Sequence, residues 1–382
     1  MRKVPKVILL IESSRASGRS LLRGVAGYAR HHGPWAFTWE PAGLENDWPK
    51  LKTLAADGII LRDVEKLEEV LAQQIPAVVF GHSHDEIPGH VNVLTDDAAV
   101  GRMAAEHLLS RGFRHFAYCG FEDKPWSEQR SQVFRQHLAA AGYETQVYRS
   151  RSTSVAQSWE REQRSLARWL KSLPKPVGLM ACNDDRGRHT IEACKRAGLR
   201  LPDEIAIIGA DNDELICELS DPALSSVAIN FERAGYESAR MLDRLMRGQR
   251  VPDLKIVAQA THVVARQSTD ILAVQDEHLA RALQFIREHG RESMRVMAVA
   301  QASGLSRRVL EKRFRRALGR SVQNEIRRVR VSHICRLLVE TNQSIYQIGL
   351  QLGYGGIEHV ARYFRAEKKM SPLAYRKKFG QQ

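Results

Sequence analysis

Residues 296–317 read VMAVAQASGLSRRVLEKRFRRA, and that stretch sets the reading of the chain's last third. Residues 296–302 carry a helical pattern, Ser303-Gly304-Leu305 interrupts it, and Ser306 opens a second one. Glycine suits a tight connection between helices, and a serine hydroxyl accepts from the free N–H groups of the helix that follows. In that second helix Leu310, Phe314 and Ala317 fall at i, i+4 and i+7, an inward stripe. Arg308, Glu311, Lys312 and Arg315 make the opposite face, with Arg307 beside them. A helix seated in the major groove of double-stranded DNA presents such a face, because Arg and Lys reach guanine edges and phosphates.

The unit recurs. Residues 345–352 are helical in pattern, Gly353-Tyr354-Gly355 turns, and residues 356–368 form a helix with Val360 and Phe364 inward. Glu358, Arg362 and Arg365 share its outer face. Between the units, residues 322–340 would form a rod of roughly 28 Å if wholly helical. Successive major grooves lie about 34 Å apart, so such a rod can hold both units on one face of a duplex. Ser371-Pro372 is a cap and first-turn pair opening a last basic helix around Tyr375-Arg376.

Charge follows the same division. Residues 276–382 hold 22 Lys or Arg against 9 Asp or Glu, whereas the remaining 275 residues hold 36 against 35. Nearly all of the net charge of +14 therefore sits in the last 107 residues. A field so segregated favours a polyanionic partner, and affinity for DNA built on it should fall steeply with salt.

The first two thirds have another rhythm. Short apolar runs at 6–11, 36–40, 58–61, 77–81, 115–119, 177–181 and 205–208 alternate with amphipathic helical stretches such as 20–31, 64–73 and 98–111. Repeated β-α-β of this kind implies parallel sheets covered by helices, and about ten strands imply two stacked lobes. Composition (43% apolar, 27% charged) argues against wholesale disorder. Five scattered cysteines without a C-x-x-C argue against a disulfide framework or zinc site and fit reduced thiols in the cytoplasm. The run from Val7 to Ile11 is too short for a signal sequence, and no stretch approaches the ~20 apolar residues that span a bilayer.

The C-terminal part resembles the arabinose-regulator (AraC/XylS) family of DNA-binding domains. The match rests on Ala300, Gly304, Ser306, Leu310, Arg313, Phe314 and Gly319, then Ile345, Ile348, Gly353, Tyr354, Phe364, Ser371, Pro372, Tyr375 and Arg376. It departs from the family at Lys368 and Lys369, where an aromatic and a glycine are usual, and at Val360, usually a second aromatic. The α/β part carries, in order, Val93-Leu94-Thr95-Asp96-Asp97, Cys182-Asn183-Asp184, Ile208-Gly209-Ala210-Asp211, Leu224-Ser225-Ser226-Val227 and Arg266-Gln267-Ser268-Thr269. These resemble the effector domain of lactose-repressor (LacI) type regulators and of sugar-binding periplasmic receptors. The expected architecture is thus an α/β two-lobed periplasmic-binding-protein-like sensor over 1–268, a linker over 269–275, and an all-α domain with two helix-turn-helix units over 276–382. The pairing of these domains resembles xylose-responsive regulators. That implies a cytoplasmic homodimer, binding D-xylose and a DNA operator, that activates genes for xylose use with RNA polymerase as a further partner. A regulator of the same build sensing another sugar is the alternative.

A free sugar needs planar polar groups on its hydroxyls and an apolar or aromatic surface against its C–H faces. Candidates at strand ends are Ser13, Arg15, Asp63, Arg130, Asp184 and Asp211, with Trp126 as a stacking face. Receptor-like domains often grip the ligand with an Arg in the region of Arg130, although the glycine usual three residues later is Val133 here. No cofactor is expected, since G-x-G-x-x-G, P-loop and G-x-S-x-G patterns are missing from the sequence. Asp96-Asp97 and Asp184-Asp185 are neighbours that a strand would point to opposite faces, and His82-Ser83-His84 offers a metal only two ligands. A sugar-active enzyme with a basic tail is therefore the poorer reading, and no enzyme activity is expected.

Overall fold

The computed structural model describes residues 4–41, 55–62, 67–81, 86–150, 159–251, 254–271, 273, 276–354 and 356–380. Asp63, His82-Ser83-His84 and Gly355 lie outside the described residues.

The apolar runs become strands β1 (Lys6–Leu10), β2 (Ala36–Trp39), β3 (Gly58–Arg62), β4 (Ala77–Phe80), β5 (Val91–Thr95), β6 (His115–Phe121), β7 (Thr145–Ser150), β8 (Val177–Ala181), β9 (Ile205–Asp211), β10 (Ser225–Ile229), β11 (Lys255–Ala258) and β12 (Ala260–Val264). They form two six-stranded sheets, ordered β11-β5-β4-β3-β1-β2 and β12-β10-β9-β8-β6-β7. All pairings are parallel except β10 with β12. β3, β4 and β8 are buried throughout, as parallel strands with helices on both faces must be.

Helices α1 (Ala16–His32), α2 (Leu67–Leu71), α3 (Asp97–Leu109), α4 (Pro125–Ala140), α5 (Trp159–Ser172), α6 (Asp184–Ala197), α7 (Glu214–Leu219) and α8 (Phe231–Met246) cover these sheets. α1 and α8 pack in the first lobe with their backbones nearly touching. A Cβ on Gly24 would lie 1.8 Å from the Glu232 carbonyl oxygen, and one on Gly235 would lie 2.0 Å from that of Leu21. Only glycine allows so close an approach.

Among the described residues the chain passes between lobes at three adjacent points: β5 to α3, β10 to α8, and β11 to β12. The crossings are stitched together. Asp96 N–H donates to Ala258 O (3.0 Å), Asn230 N–H to Gln259 O (2.9 Å), and the Thr261 hydroxyl to Ala228 O (3.2 Å). Three short crossings in one place make a hinge, with a cleft at the carboxyl ends of both sheets.

The rest of the chain is helical: α9 (Glu277–Glu288), α10 (Val296–Ser303), α11 (Arg307–Leu318), α12 (Val322–Glu340), α13 (Ile345–Gln351), α14 (Ile357–Lys368) and α15 (Pro372–Phe379). Side chains of Asp276, Ser306, Ser321, Ser344 and Ser371 cap five of these, which is why the helices begin where they do. α12 belongs to two cores. Val322 and Ile326 pack with Leu310 and Phe314, whereas Val331, Ile334, Cys335 and Leu338 pack with Val360, Phe364 and Tyr375. Phe314 and Phe364 are fully buried, each stabilising its core by roughly 2–3 kcal/mol.

The two units end differently. α11 stops at Gly319 with φ 68°, a left-handed position that glycine adopts without strain, whereas α14 stops at Lys369 with φ 58°. Lys369→Gly should therefore stabilise the chain by about 0.5–1 kcal/mol, read as a higher midpoint in urea. A lower midpoint would mean that the Lys369 Nζ bond to Ala366 O (3.0 Å) outweighs the strain.

Candidate ligand cleft and DNA-facing surface

Arg130 sits on α4 with its guanidinium almost wholly buried. Its Nε donates to Asp97 Oδ1 at 2.7 Å and its Nη1 to Cys182 O at 2.6 Å. Both Nη1 and Nη2 lie 3.4 Å from Asp211 Oδ1. Asp97 is in turn steadied by the Thr95 hydroxyl, which donates to the same Oδ1 at 2.6 Å. Trp126, one helical turn before Arg130, has its ring centroid 5.0 Å from the guanidinium carbon. Four elements thus converge: the end of β5, the start of α4, the end of β8 and the end of β9.

Asp211 is the open member, with a side chain 25% exposed and a backbone φ of 97°. Burial pushes its carboxyl up to about 6, although Arg130 pulls the other way. Asp97 is also raised by burial, again against Arg130. Arg130 itself stays charged, since the two carboxylates outweigh the burial penalty on the cation. In the first lobe Arg62 lies at the carboxyl end of β3. It pairs with Glu12 (3.2 Å) and lies 4.7 Å from the Phe80 ring centroid. Arg62 and Glu12 were not singled out from sequence, and Asp97 was weighed there only as half of a carboxylate pair, not as a ligand contact. The available signal was a charged residue closing an otherwise apolar strand, as in GIILR at 58–62.

At one lip of the cleft the lobes touch. α1 has no side-chain cap of its own. Instead Asp213, from the second lobe, accepts from Ala16 N–H at 2.7 Å and pairs with Arg19 at 3.3 Å. Arg15 pairs across the cleft with Asp185 at 3.1 Å. Ser13 lies beneath this lip, its carbonyl accepting from Arg19 Nη1 at 2.8 Å. Asp184 is placed differently. Its Oδ1 accepts from the Ser226 hydroxyl (2.6 Å), its Oδ2 from Asp213 N–H (2.8 Å), and burial drives its carboxyl well above the usual range. Both oxygens are engaged within the protein, tying the start of α6 to the loop after β9 and to the start of β10. The structure therefore brings Trp126, Arg130 and Asp211 together, sets Ser13 and Arg15 on the facing lip, and buries Asp184 below.

On the helical side, Arg307, Arg308, Lys312 and Arg315 are exposed on α11. Glu311 is half-buried, its Oε2 accepting from Val322 N–H at 3.4 Å, so it serves the start of α12. Glu358, Arg362 and Arg365 are exposed on α14. Arg313 turns aside to pair with Asp276 at 2.7 Å. Arg330, unnoticed from sequence, is buried between the units. It donates to Leu352 O and lies 4.1 Å from the Tyr354 ring centroid.

Comparison with known proteins agrees with this division. Residues 105–269 match the periplasmic binding protein-like domain family, and residues 299–378 match the helix-turn-helix domain family. The chain is 31% identical over 381 residues to the xylose operon regulatory protein of Escherichia coli K12, covering 97% of this chain and 96% of that one. It is 30% identical over 383 residues to the xylose operon regulatory protein of Haemophilus influenzae, covering 97% and 98%. A solved xylose-binding transcription activator superposes with a TM-score of 0.63 at 30% identity over the whole of both chains.

Asp211 offers a test of the cleft as a strained binding surface. Its raised carboxyl pKa means that the stability it contributes is fully present below about pH 4 and is lost as pH rises through about 6. Without ligand, Asp211→Asn should stabilise the chain by about 1–2 kcal/mol at pH 8 and by almost nothing at pH 4. Denaturant melts at the two pH values read this. A loss of stability at pH 8 would show that the pairing with Arg130 outweighs burial.

Proposed function

The chain belongs to the family of xylose operon regulatory proteins, and from that premise we propose that its cleft binds D-xylose and its paired helix-turn-helix units bind operator DNA in response. The observation that carries this reading is the Trp126–Arg130–Asp211 cluster at the carboxyl ends of the strands, facing a second lobe across a hinge. Arg130 offers planar N–H donors to neighbouring hydroxyls, Asp211 accepts from a hydroxyl, and the Trp126 ring supplies a surface for C–H faces. Arg15 and Ser13 complete the polar rim from the first lobe. Ligand held between lobes favours the closed form only to the extent that it binds that form more tightly than the open one.

Binding without turnover is the simpler chemistry. Asp97 and Asp211, the carboxylates nearest the ligand position, share one guanidinium, which leaves neither free to act as general acid and base in the usual pairing. On the DNA side, Arg308 reads base edges from α11, with Arg362 and Arg365 doing the same from α14. Arg307, Lys312 and Arg315 hold phosphates. Glu358 is exposed beside Arg362 and Arg365, and Glu311 lies next to Lys312 while holding the start of α12. A homodimer in the cytoplasm would present these surfaces to two half-sites. The solved relative is described as a transcription activator, which supports activation with RNA polymerase as a further partner.

A thermal-shift panel of xylose, arabinose, ribose, glucose and galactose tests the ligand assignment. D-xylose at ~100 times its dissociation constant should stabilise the chain by about 2.7 kcal/mol, and Arg130→Ala should abolish the response. A response confined to another sugar would replace xylose and keep the cleft. Stabilisation by xylose that survives Arg130→Ala would remove the cleft cluster from the site.

A further inference from the structure

The two helix-turn-helix units rest on different parts of the sensor. The first is tied to the second lobe. Arg320, after α11, donates to Ser110 O at the end of α3 (3.2 Å), and both Arg320 and Arg328 grip the buried Glu325 at the start of α12 (2.6 and 2.8 Å). The chain leading into this unit is bound to α3 as well, with Ala273 N–H on Arg111 O (2.9 Å) and the Thr269 hydroxyl against His107 Nε2 (2.8 Å).

The second unit is tied to the hinge. The Tyr375 hydroxyl on α15 donates to Thr261 O at 2.8 Å. Asn230 Nδ2 donates to Phe379 O at 2.7 Å, and Arg233 donates to Lys377 O. His262 Nε2 lies 3.0 Å from Glu340 Oε1 at the end of α12. Asn230 is itself the crossing between β10 and α8, and its Oδ1 caps α8 by accepting from Arg233 N–H at 3.0 Å. Thr261 and His262 follow the crossing between β11 and β12. Asn230 and Arg233 therefore travel with the first lobe, through α8. From α15 the contact continues to the DNA-facing helix, because the Tyr375 ring packs edge-on against Phe364 of α14 with centroids 5.2 Å apart.

We propose that α15 is a relay that reads lobe closure at the hinge and turns the second helix-turn-helix unit relative to the first, through the Asn230–Phe379 and Thr261–Tyr375 bonds. This rests on the sugar-sensing reading above and adds a route to it. Because the first unit is fastened to the second lobe, while the second is held both by β12 of that lobe and by Asn230 and Arg233 at the start of α8 in the first, a change in lobe angle pulls the two units differently and bends the pair about α12. The spacing of the two basic faces on DNA then depends on whether the cleft is closed. A coupling of this kind needs no contact between sugar and reader, only an element with two arrangements that both sites bias.

Hydrogen–deuterium exchange of the full chain, with and without D-xylose, tests the relay. In the unsubstituted protein xylose should slow exchange around Asp97, Arg130 and Asp211 and also change it in α14 and α15. The pair Asn230→Asp and Tyr375→Phe keeps the acceptor that caps α8 and the ring that packs on Phe364, and removes both donors. In that variant protection at the cleft should persist, while the response of α14 and α15 shrinks about fivefold or more. Tyr375→Phe alone should give a smaller loss in the same peptides, which keeps the test intact if the pair folds poorly. An undiminished reader response in these variants would overturn the relay and leave the sugar reading standing. Cleft peptides of the unsubstituted protein that ignore xylose would overturn the sugar assignment, and the relay with it.

Discussion

Burying the Arg130 guanidinium costs several kcal/mol unless its donors are met, and the second lobe is arranged to meet them. Asp97 at the start of α3, the Cys182 carbonyl just after β8 and Asp211 at the end of β9 converge on this one cation. The same demand brings Trp126 to its side and holds Asp211 where part of the carboxylate still faces the cleft. Asp211 is held in a left-handed backbone conformation with its charged form disfavoured, which is the state of a group that gains when a ligand hydroxyl reaches it.

From that centre the rest follows by connection. The cleft lies between lobes that share three stitched crossings, so a ligand bridging them acts on the hinge directly. Asp213 capping α1 from the opposite lobe, and Arg15 pairing with Asp185, join the two lobes across the lip of the cleft. The helical domain is not a separate body on a loose tether. It is fastened to the second lobe near Ser110 and to the hinge near Asn230 and Thr261. These contacts join the sensor to the domain that carries α11 and α14, and residues 276–382 as a whole hold nearly all of the chain's net charge.

The sequence made some of this legible and hid the rest for physical reasons. Buried parallel strands such as 58–62 and 177–181 announce themselves as unbroken apolar runs, and five helices of the last third announce their starts with Asp or Ser caps. Strand β10 was opaque because it opens with Ser225 and Ser226, both buried and bonded to distant partners. Strand β11 is four residues that pair with β5, far away along the chain, so local pattern says little about it. Of the clustered residues, Trp126, Arg130 and Asp211 could be proposed by type and position, whereas the part Asp97 plays in the cluster becomes visible only once Arg130 is seen to reach it. Asp184 looked like a ligand contact because it follows an apolar strand. Its partners, Asp213 and Ser226, come 29 and 42 residues later, and no local signal reports them.

The measurement that tests the central claim most directly is the affinity of the full chain for operator DNA, selected from a random pool, with and without D-xylose. The account predicts that xylose tightens binding about fivefold or more, the lower end of ordinary coupling between two sites, and that Asp211→Asn removes the difference while leaving binding without sugar nearly unchanged. Affinity that is the same with and without xylose, in a protein shown to bind both, would contradict it.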